Sequence, residues 1–161
     1  MSRNSAAVSA EPERPPEICT CLAVRQAARH VTQFYDQQLA PIGLRTTQYS
    51  ILAKLNRLGP MSVNALADAM VMDRTTLGRN IKPLQRLKLV AVRRGREDAR
   101  VKEVHLTDSG SERFRRAEKL WAGAQQQFDH AFGAGNSSDL RALMRTITAV
   151  DFTSAEPHTQ V

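Results

Sequence analysis

The segment from Val90 to Leu106 constrains the fold more than any other part of the sequence. Glycine and aspartate, which favour turns, occupy positions 95 and 98. Four arginines surround this turn: Arg93, Arg94, Arg96 and Arg100. Apolar side chains flank it on both sides, at Val90, Val92, Val101, Val104 and Leu106. Two short apolar stretches joined by an arginine-rich turn predict a basic β-hairpin.

A helix start follows the hairpin directly. Thr107 can accept a hydrogen bond as a helix cap, and Asp108 falls in the first turn, where the helix dipole favours a carboxylate. Asp98, Arg100, Leu106, Thr107 and Gly110 have the spacing Asp-x-Arg-x5-Leu-Thr-x2-Gly. This pattern resembles the wing of the MarR family of winged helix-turn-helix transcription regulators. The resemblance covers about residues 18–151.

Positive charge is concentrated around the hairpin. The chain has 161 residues and a formal net charge of +7, with a pI of about 10.1. Residues 74–102 hold ten lysines and arginines against two acidic residues, whereas the rest of the chain holds 13 basic and 14 acidic residues. Such a local excess indicates a surface for an anionic partner such as DNA. A solvated helix face beside a solvated hairpin is the other interpretation.

Apolar spacing predicts four helices before the hairpin. The first starts at Glu17, carries a stripe through Tyr35 and ends at Pro41 and Gly43. The second is capped by Thr46 or Thr47 and runs to about residue 56, with Ile51, Leu55 and Leu58 buried. The third runs from a Ser62 cap to Met70 and the fourth from an Asp73 cap to about Lys88, with inward residues Leu66, Leu77, Ile81 and Leu84. Two short capped helices in succession predict a helix-turn-helix.

Two helices follow the hairpin. A long helix runs from about Asp108 to Phe132 and ends at Gly133 and Gly135. The last helix takes Ser137 or Ser138 as its cap and carries Leu140, Leu143, Ile147 and Val150. Residues 1–16 read as a flexible arm and residues 153–161 as a flexible tail. The whole is one domain over residues 17–152.

The fourth helix is the candidate reader of DNA bases. Its outward residues are expected to be Arg74, Thr75, Thr76, Arg79 and Asn80. Arginine can bind guanine, asparagine can bind adenine, and threonine offers a methyl group to thymine. Gly78 is costly in a helix interior and suggests a close approach to DNA or to the third helix. Pro83 predicts a kink, and a break at this position is the alternative.

The resemblance implies a mainly α fold with a small β-hairpin wing. A winged helix-turn-helix lobe at about 46–106 would be joined to dimerisation helices at about 17–40 and 108–151. It implies that Arg100 enters the minor groove and that Asp98 orients the wing through arginine pairs. Arg93, Arg94 and Arg96 are expected to meet phosphates, which position a protein on DNA without specifying sequence. The implied homodimer would bind a pseudo-palindromic operator. A small aromatic or carboxylate-bearing effector would release it from a cleft whose candidates are Arg25, Tyr35, Tyr49 and Trp121.

Cys21 raises the alternative of a redox switch. The run from Cys21 to Arg29, followed by Tyr35, resembles the first helix of the peroxide-sensing OhrR branch. There a cysteine near the helix start is oxidised and a tyrosine at the position of Tyr35 contacts it. The second tyrosine expected in that branch falls at about Thr46 and is missing. A thiol at a helix start can be reactive, but cysteine is also often simply buried.

Several kinds of chemistry have no sequence signal. The four histidines match no metal-ligand spacing, and no phosphate loop, nucleophile elbow or carboxylate pair stands out, so neither an enzyme nor a cofactor is expected. No signal peptide or membrane span is visible, and two cysteines without a disulfide framework fit the cytoplasm. A sequence-independent architectural DNA binder and a winged-helix protein-interaction module remain as alternatives.

Overall fold

The computed structural model describes residues 18–95 and 98–152. In this part of the chain six helices, a 3₁₀ turn and three short strands follow one another. They are α1 (Thr20–Leu39), the 3₁₀ turn (Ala40–Ile42), α2 (Thr46–Leu58), β1 (Met61–Ser62), α3 (Val63–Ala69), α4 (Arg74–Arg86), β2 (Val90–Arg94), β3 (Lys102–Leu106), α5 (Asp108–Phe132) and α6 (Ala134–Ala149). The mainly helical class is confirmed. The expected arm (residues 1–16) and tail (residues 153–161) lie outside the described residues.

The first helix begins three residues later than expected. Cys19 is its cap residue and has extended backbone angles, so the helix proper starts at Thr20 and not at Glu17. Only the second half of the helix reaches the core, through Tyr35 and Leu39. The first half leaves Ala28 exposed and Val24 half-buried. An apolar stripe is therefore present, but its first half is only partly covered by the other described residues.

The start of α2 corrects the cap prediction at Thr46 and Thr47. The cap residue is Arg45, and the backbone N–H of Thr46 donates to the Asp36 carboxylate of α1 at 2.6 Å. The Thr46 hydroxyl is buried without a hydrogen-bond partner among the described residues. A carboxylate from another helix has taken the role that a local hydroxyl was expected to fill. At the other end α2 runs to Leu58, which is 51% exposed and not part of the buried stripe.

The helix-turn-helix follows the sequence closely. The Ser62 hydroxyl accepts from the N–H of Ala65 at 3.0 Å, and the Asp73 carboxylate accepts from the N–H of Thr76 at 2.8 Å. Both predicted caps are therefore confirmed. Pro83 lies inside α4, which is continuous, so the alternative of a helix broken there is wrong. The inward residues are buried as expected: Leu66, Leu77, Ile81 and Leu84.

A three-stranded antiparallel sheet has the order β1-β3-β2. The predicted hairpin is formed by β2 and β3, with Val92 opposite Val104. Met61 and Ser62 add a short strand on the other side of β3, with Met61 also opposite Val104. This strand was not predicted, because two residues carry no periodic signal. It joins the start of the helix-turn-helix to the base of the hairpin.

The junction between the hairpin and α5 is held by one side chain. The Thr107 hydroxyl donates to the carbonyl oxygen of Lys88 at 2.7 Å and accepts from the N–H of Gly110 at 3.0 Å. The predicted helix cap is thus confirmed and also binds the turn that precedes β2. Gly110 is buried there, and a Cβ atom at this position would collide with the carbonyl oxygen of Leu89.

The last two helices leave an apolar surface without a partner. Gly133 ends α5, and α6 begins at Ala134, so Ser137 and Ser138 are not its cap and Gly135 lies within it. The hydroxyl of Ser137 is fully buried and has no hydrogen-bond partner among the described residues. Large apolar side chains at the two ends of the described chain are exposed: Ile18, Phe132, Leu143, Ile147, Val150 and Phe152. None of the described helices has the length and apolar character of a membrane span.

The junction generates a stability prediction. Replacing Gly110 by alanine should lower the free energy of unfolding by about 3 kcal/mol, because the new methyl group must displace the Leu89 backbone. Gly123→Ala in α5 is the matched control, since a Cβ atom there meets nothing within 4 Å and alanine favours helix by about 1 kcal/mol. Urea unfolding of both variants would test this. Equal stability of the two variants would contradict the tight packing of this junction.

Candidate nucleic-acid interface

The first turn of α4 presents an ordered polar face. The Asp73 carboxylate accepts hydrogen bonds from both the hydroxyl and the N–H of Thr76, at 2.6 and 2.8 Å. These two bonds hold the pKa of Asp73 below its ordinary value, and the bond from the Thr76 hydroxyl has the larger effect. One turn later, the side-chain amide of Asn80 donates to the carbonyl oxygen of Thr76 at 2.9 Å. Cap and helix face therefore form one chain of hydrogen bonds.

The predicted reading residues are not equally exposed. Arg74, Thr75 and Arg79 are exposed, as expected. Thr76 and Asn80 are half-buried, so the expectation that they are outward is only partly met. Each of the two also bonds locally, Thr76 to the Asp73 cap and Asn80 to the Thr76 carbonyl oxygen. Arg74, Thr75 and Arg79 are the fully exposed members of the predicted set, and Asn80 keeps a second amide N–H that is free to donate.

The hairpin turn is closed by backbone bonds around Asp98. The N–H of Gly95 donates to the carbonyl oxygen of Val101 at 2.8 Å, and the N–H of Val101 donates to the carbonyl oxygen of Asp98 at 3.0 Å. The carboxylate of Asp98 accepts from the backbone N–H of Arg100 at 2.8 Å. The expected pairing of Asp98 with arginine side chains is not found among the described residues. Asp98 orients the turn through the backbone instead, which leaves the Arg100 guanidinium exposed.

The basic side chains lack acidic partners. Arg93, Arg94 and Arg100 are exposed, while Arg96 lies outside the described residues. Within residues 18–95 and 98–152, no carboxylate lies within ion-pair distance of a lysine or arginine of the 74–102 segment. Arg94 stands opposite Lys102 across the hairpin, a like-charged pair that is unfavourable until an anion lies between. The wing surface is therefore electrostatically incomplete in the free chain.

A hollow of about 310 Å³ joins the two halves of this surface. Arg74 from the start of α4 lines it together with Arg100 and Lys102 from the wing. The remaining lining residues are uncharged: Ser62, Val63, Asn64 and Val101. Helix and hairpin thus form one continuous positive surface, which the sequence suggested only by the number of basic residues.

The four effector candidates do not form one open site. Tyr49 is buried in a stack, with ring centroids 5.6 Å from Phe114 and 5.8 Å from Trp121. The Tyr35 hydroxyl donates to Gln125 at 2.9 Å, and Arg25 is exposed on the first half of α1. Burial, and secondarily the Glu118 carboxylate, raises the pKa of Tyr49 to about 12. Burial and then Asp129 also raise the pKa of Tyr35, against a smaller opposing effect of Arg141.

A larger groove of about 650 Å³ lies between α1, α5 and α6. Its lining is mostly apolar or amide: Ala27, His30, Val31, Gln33, Phe34, Gln37, Gln127, Phe128, Ala131, Phe132 and Leu140. None of the four effector candidates lines this groove. It lies among the same helices that carry the exposed apolar side chains.

Both cysteines are exposed and free. No hydrogen bond reaches either thiol among the described residues. Cys21 and Tyr35 lie 14 residues apart on one helix, a separation of about 21 Å along the axis. A contact between them would therefore require a second chain.

Comparison with known proteins places these features in a family. A model described as the MarR family matches residues 42–101. The HTH-type transcriptional regulator YwoH of Bacillus subtilis (strain 168) is 33% identical over 91 residues, which are 56% of this chain and 66% of the relative. The match thus spans about two thirds of that protein.

Solved structures extend the likeness over most of the chain. The transcriptional regulator MosR of M. tuberculosis, in complex with DNA, is 35% identical with a TM-score of 0.70, covering 81% of this chain and 97% of that one. BpsR of Bordetella bronchiseptica has a TM-score of 0.74 at 23% identity, covering 88% of this chain and 100% of that one. At that lower identity the second match shows the shared fold.

Proposed function

Because this chain belongs to the MarR family of transcriptional regulators, we propose that it is a homodimeric repressor of a pseudo-palindromic DNA operator. The observation that carries this proposal is the continuous positive surface formed by α4 and the wing. Arg74, Arg79, Arg93, Arg94 and Arg100 on this surface are exposed and pair with no carboxylate of the described residues, as a phosphate-binding surface requires. MosR, which is 35% identical, was solved in complex with DNA, and this supports DNA as the partner of the present chain. A regulator of this kind works where the DNA is, which we expect to be the cytoplasm.

The two halves of the surface would do different work. Exposed Arg74, Thr75 and Arg79 would meet base edges in the major groove. Thr76 and Asn80 would lie beside them, with side chains that are already hydrogen-bonded within the free protein. Arg93, Arg94 and Arg96 would bind phosphates, which position the protein without specifying sequence. The Arg100 guanidinium, free of Asp98, would enter a narrow A·T-rich minor groove.

A second copy of the chain would cover the apolar surface. Phe132, Leu143 and Ile147 are exposed beside the groove between α1, α5 and α6, although side chains of this kind usually lie inside. Helices from two chains packing there would bury them and place two α4 helices on successive half-sites. The proposed effector, a small aromatic or carboxylate-bearing molecule, would act by changing the spacing of the two reading heads. Arg25 and Trp121 are its most accessible candidate contacts, since Tyr35 and Tyr49 are buried.

A sequence-independent architectural DNA binder is the second candidate. It would use the same exposed arginines, but without preference for any duplex. Selection of bound sequences from a random duplex pool separates the two functions, since only the repressor enriches a pseudo-palindrome. A winged-helix protein-interaction module has no need of duplex DNA, so DNA binding whose affinity falls steeply with salt would argue against that class.

Arg79 tests base reading. Arg79→Ala should weaken binding to the selected operator by about 1–3 kcal/mol and relax the preference at one base pair in each half-site, because the lost contact is to a base. Arg116→Ala, an exposed arginine on α5, is the control and should bind as the wild type does. Titration against single-base operator variants gives the answer. A uniform loss on every sequence would make Arg79 a phosphate contact.

Leu143 tests assembly. This side chain is 60% exposed in α6, so Leu143→Glu should leave the fold of each chain intact, shift sedimentation from dimer to monomer and weaken operator binding. Leu58→Glu is the matched control, because Leu58 is 51% exposed at the end of α2, away from the apolar groove. Circular dichroism checks that both variants are folded. A wild-type chain that is monomeric while binding a two-half-site operator tightly would contradict the proposed dimer.

Cys21 tests the nature of the switch. We expect Cys21→Ser to keep both operator binding and release by an organic effector, because the Tyr35 hydroxyl is committed to Gln125 and no hydrogen bond from a described residue reaches the Cys21 thiol. The measurement is operator release by organic hydroperoxide in the wild type and the variant. Release of the wild type alone at low peroxide would replace the effector by a thiol switch of the OhrR type, without changing the DNA-binding surface.

A further inference from the structure

Gly78 lies in the middle of α4, on the face that carries the exposed arginines. Residues three and four positions away in a helix are neighbours on its surface, so Gly78 lies beside exposed Arg74, Thr75 and Lys82 and beside buried Ile81. Gly78 itself is half-buried. The glycine is thus placed where the exposed basic face of α4 borders its packed face.

Nothing inside the chain requires this glycine. A Cβ atom at position 78 would meet nothing within 4 Å, and the backbone there does not have the positive φ that favours glycine. The expectation that Gly78 allows α3 to approach closely is therefore wrong. Gly95 and Gly110 differ, because a Cβ atom at either would press on backbone carbonyl oxygens. Alanine at position 78 would fit the free protein and would favour the helix.

We propose that Gly78 is a positioning residue for DNA recognition, at which the backbone of α4 makes van der Waals contact with the duplex. This inference rests on the proposed function and deepens it. Without a side chain the helix can lie deeper in the major groove by the width of a methyl group. The flanking Arg74 and Arg79 then reach base edges that would otherwise be too far away. Gly78 would contribute to specificity without itself donating or accepting a hydrogen bond.

The test is that Gly78→Ala should make the free protein more stable but its binding to the operator weaker. Gly78→Ala should raise the Tm of the full chain by roughly 2–4 °C, since a better helix former replaces glycine without a clash. The same variant should raise the Kd for the selected operator about tenfold, because the methyl group overpacks the contact. The Kd for a random duplex should change little, since phosphate contacts by flexible arginines do not need the full depth.

Gly123→Ala in α5 is the matched control. Its Cβ atom also meets nothing within 4 Å, so its Tm should rise in the same way while its operator Kd stays that of the wild type. Wild-type affinity of Gly78→Ala for the operator would overturn the inference and leave the proposed function standing. An equal loss of affinity in Gly123→Ala would also overturn it, since the effect would not be local. If the wild-type protein showed no preference for any DNA sequence, both the inference about Gly78 and the proposed function would be contradicted.

Discussion

The hydrogen bonds of Thr107 are the interaction on which two parts of the chain depend: the helix-turn-helix with its hairpin, and the long helix α5. One hydroxyl donates to the Lys88 carbonyl, at the residue that turns the chain from α4 towards β2 with a left-handed φ of 57°, and caps α5 through Gly110. Helix α4, the hairpin and α5 therefore meet at one point. A small residue at position 110 is needed because α5 starts against the Leu89 carbonyl, and this explains two positions of the Leu-Thr-x2-Gly pattern.

This junction relates the DNA surface to the apolar surface. From Thr107 one path leads through β3 to the wing, and the other follows α5 for 25 residues to Phe132, at the groove between α1, α5 and α6. Because α5 is a continuous helix, a change in how its far end packs would be transmitted to the helix-turn-helix and the hairpin. In the proposed dimer, release by an effector would then need no unfolding, only a change of angle between the two copies.

Local signals were read from the sequence far better than tertiary ones. Ser62, Asp73 and Thr107 cap helices as predicted, because each bonds to an N–H only three residues away. The caps expected at Thr46 and Ser137 failed: Asp36 of α1 binds the Thr46 N–H, and α6 starts three residues before Ser137. The stack of Tyr49 between Phe114 and Trp121, and the hollow joining Arg74 to the wing, bring together residues distant in sequence. Periodicity identifies such residues as inward or outward but does not pair them.

The hydrogen-bonded run Asp73–Thr76–Asn80 has a consequence for the thermodynamics of recognition. These three residues are hydrogen-bonded to one another in the free chain, so binding should cost them less conformational entropy than it costs unpaired side chains. The exposed Arg74 and Arg79 are not restrained in this way, and each must surrender rotamer freedom on the DNA. Recognition by α4 would therefore combine side chains that are already ordered with arginines that become ordered on binding. Its enthalpy and entropy should change unequally when residues of the two kinds are replaced.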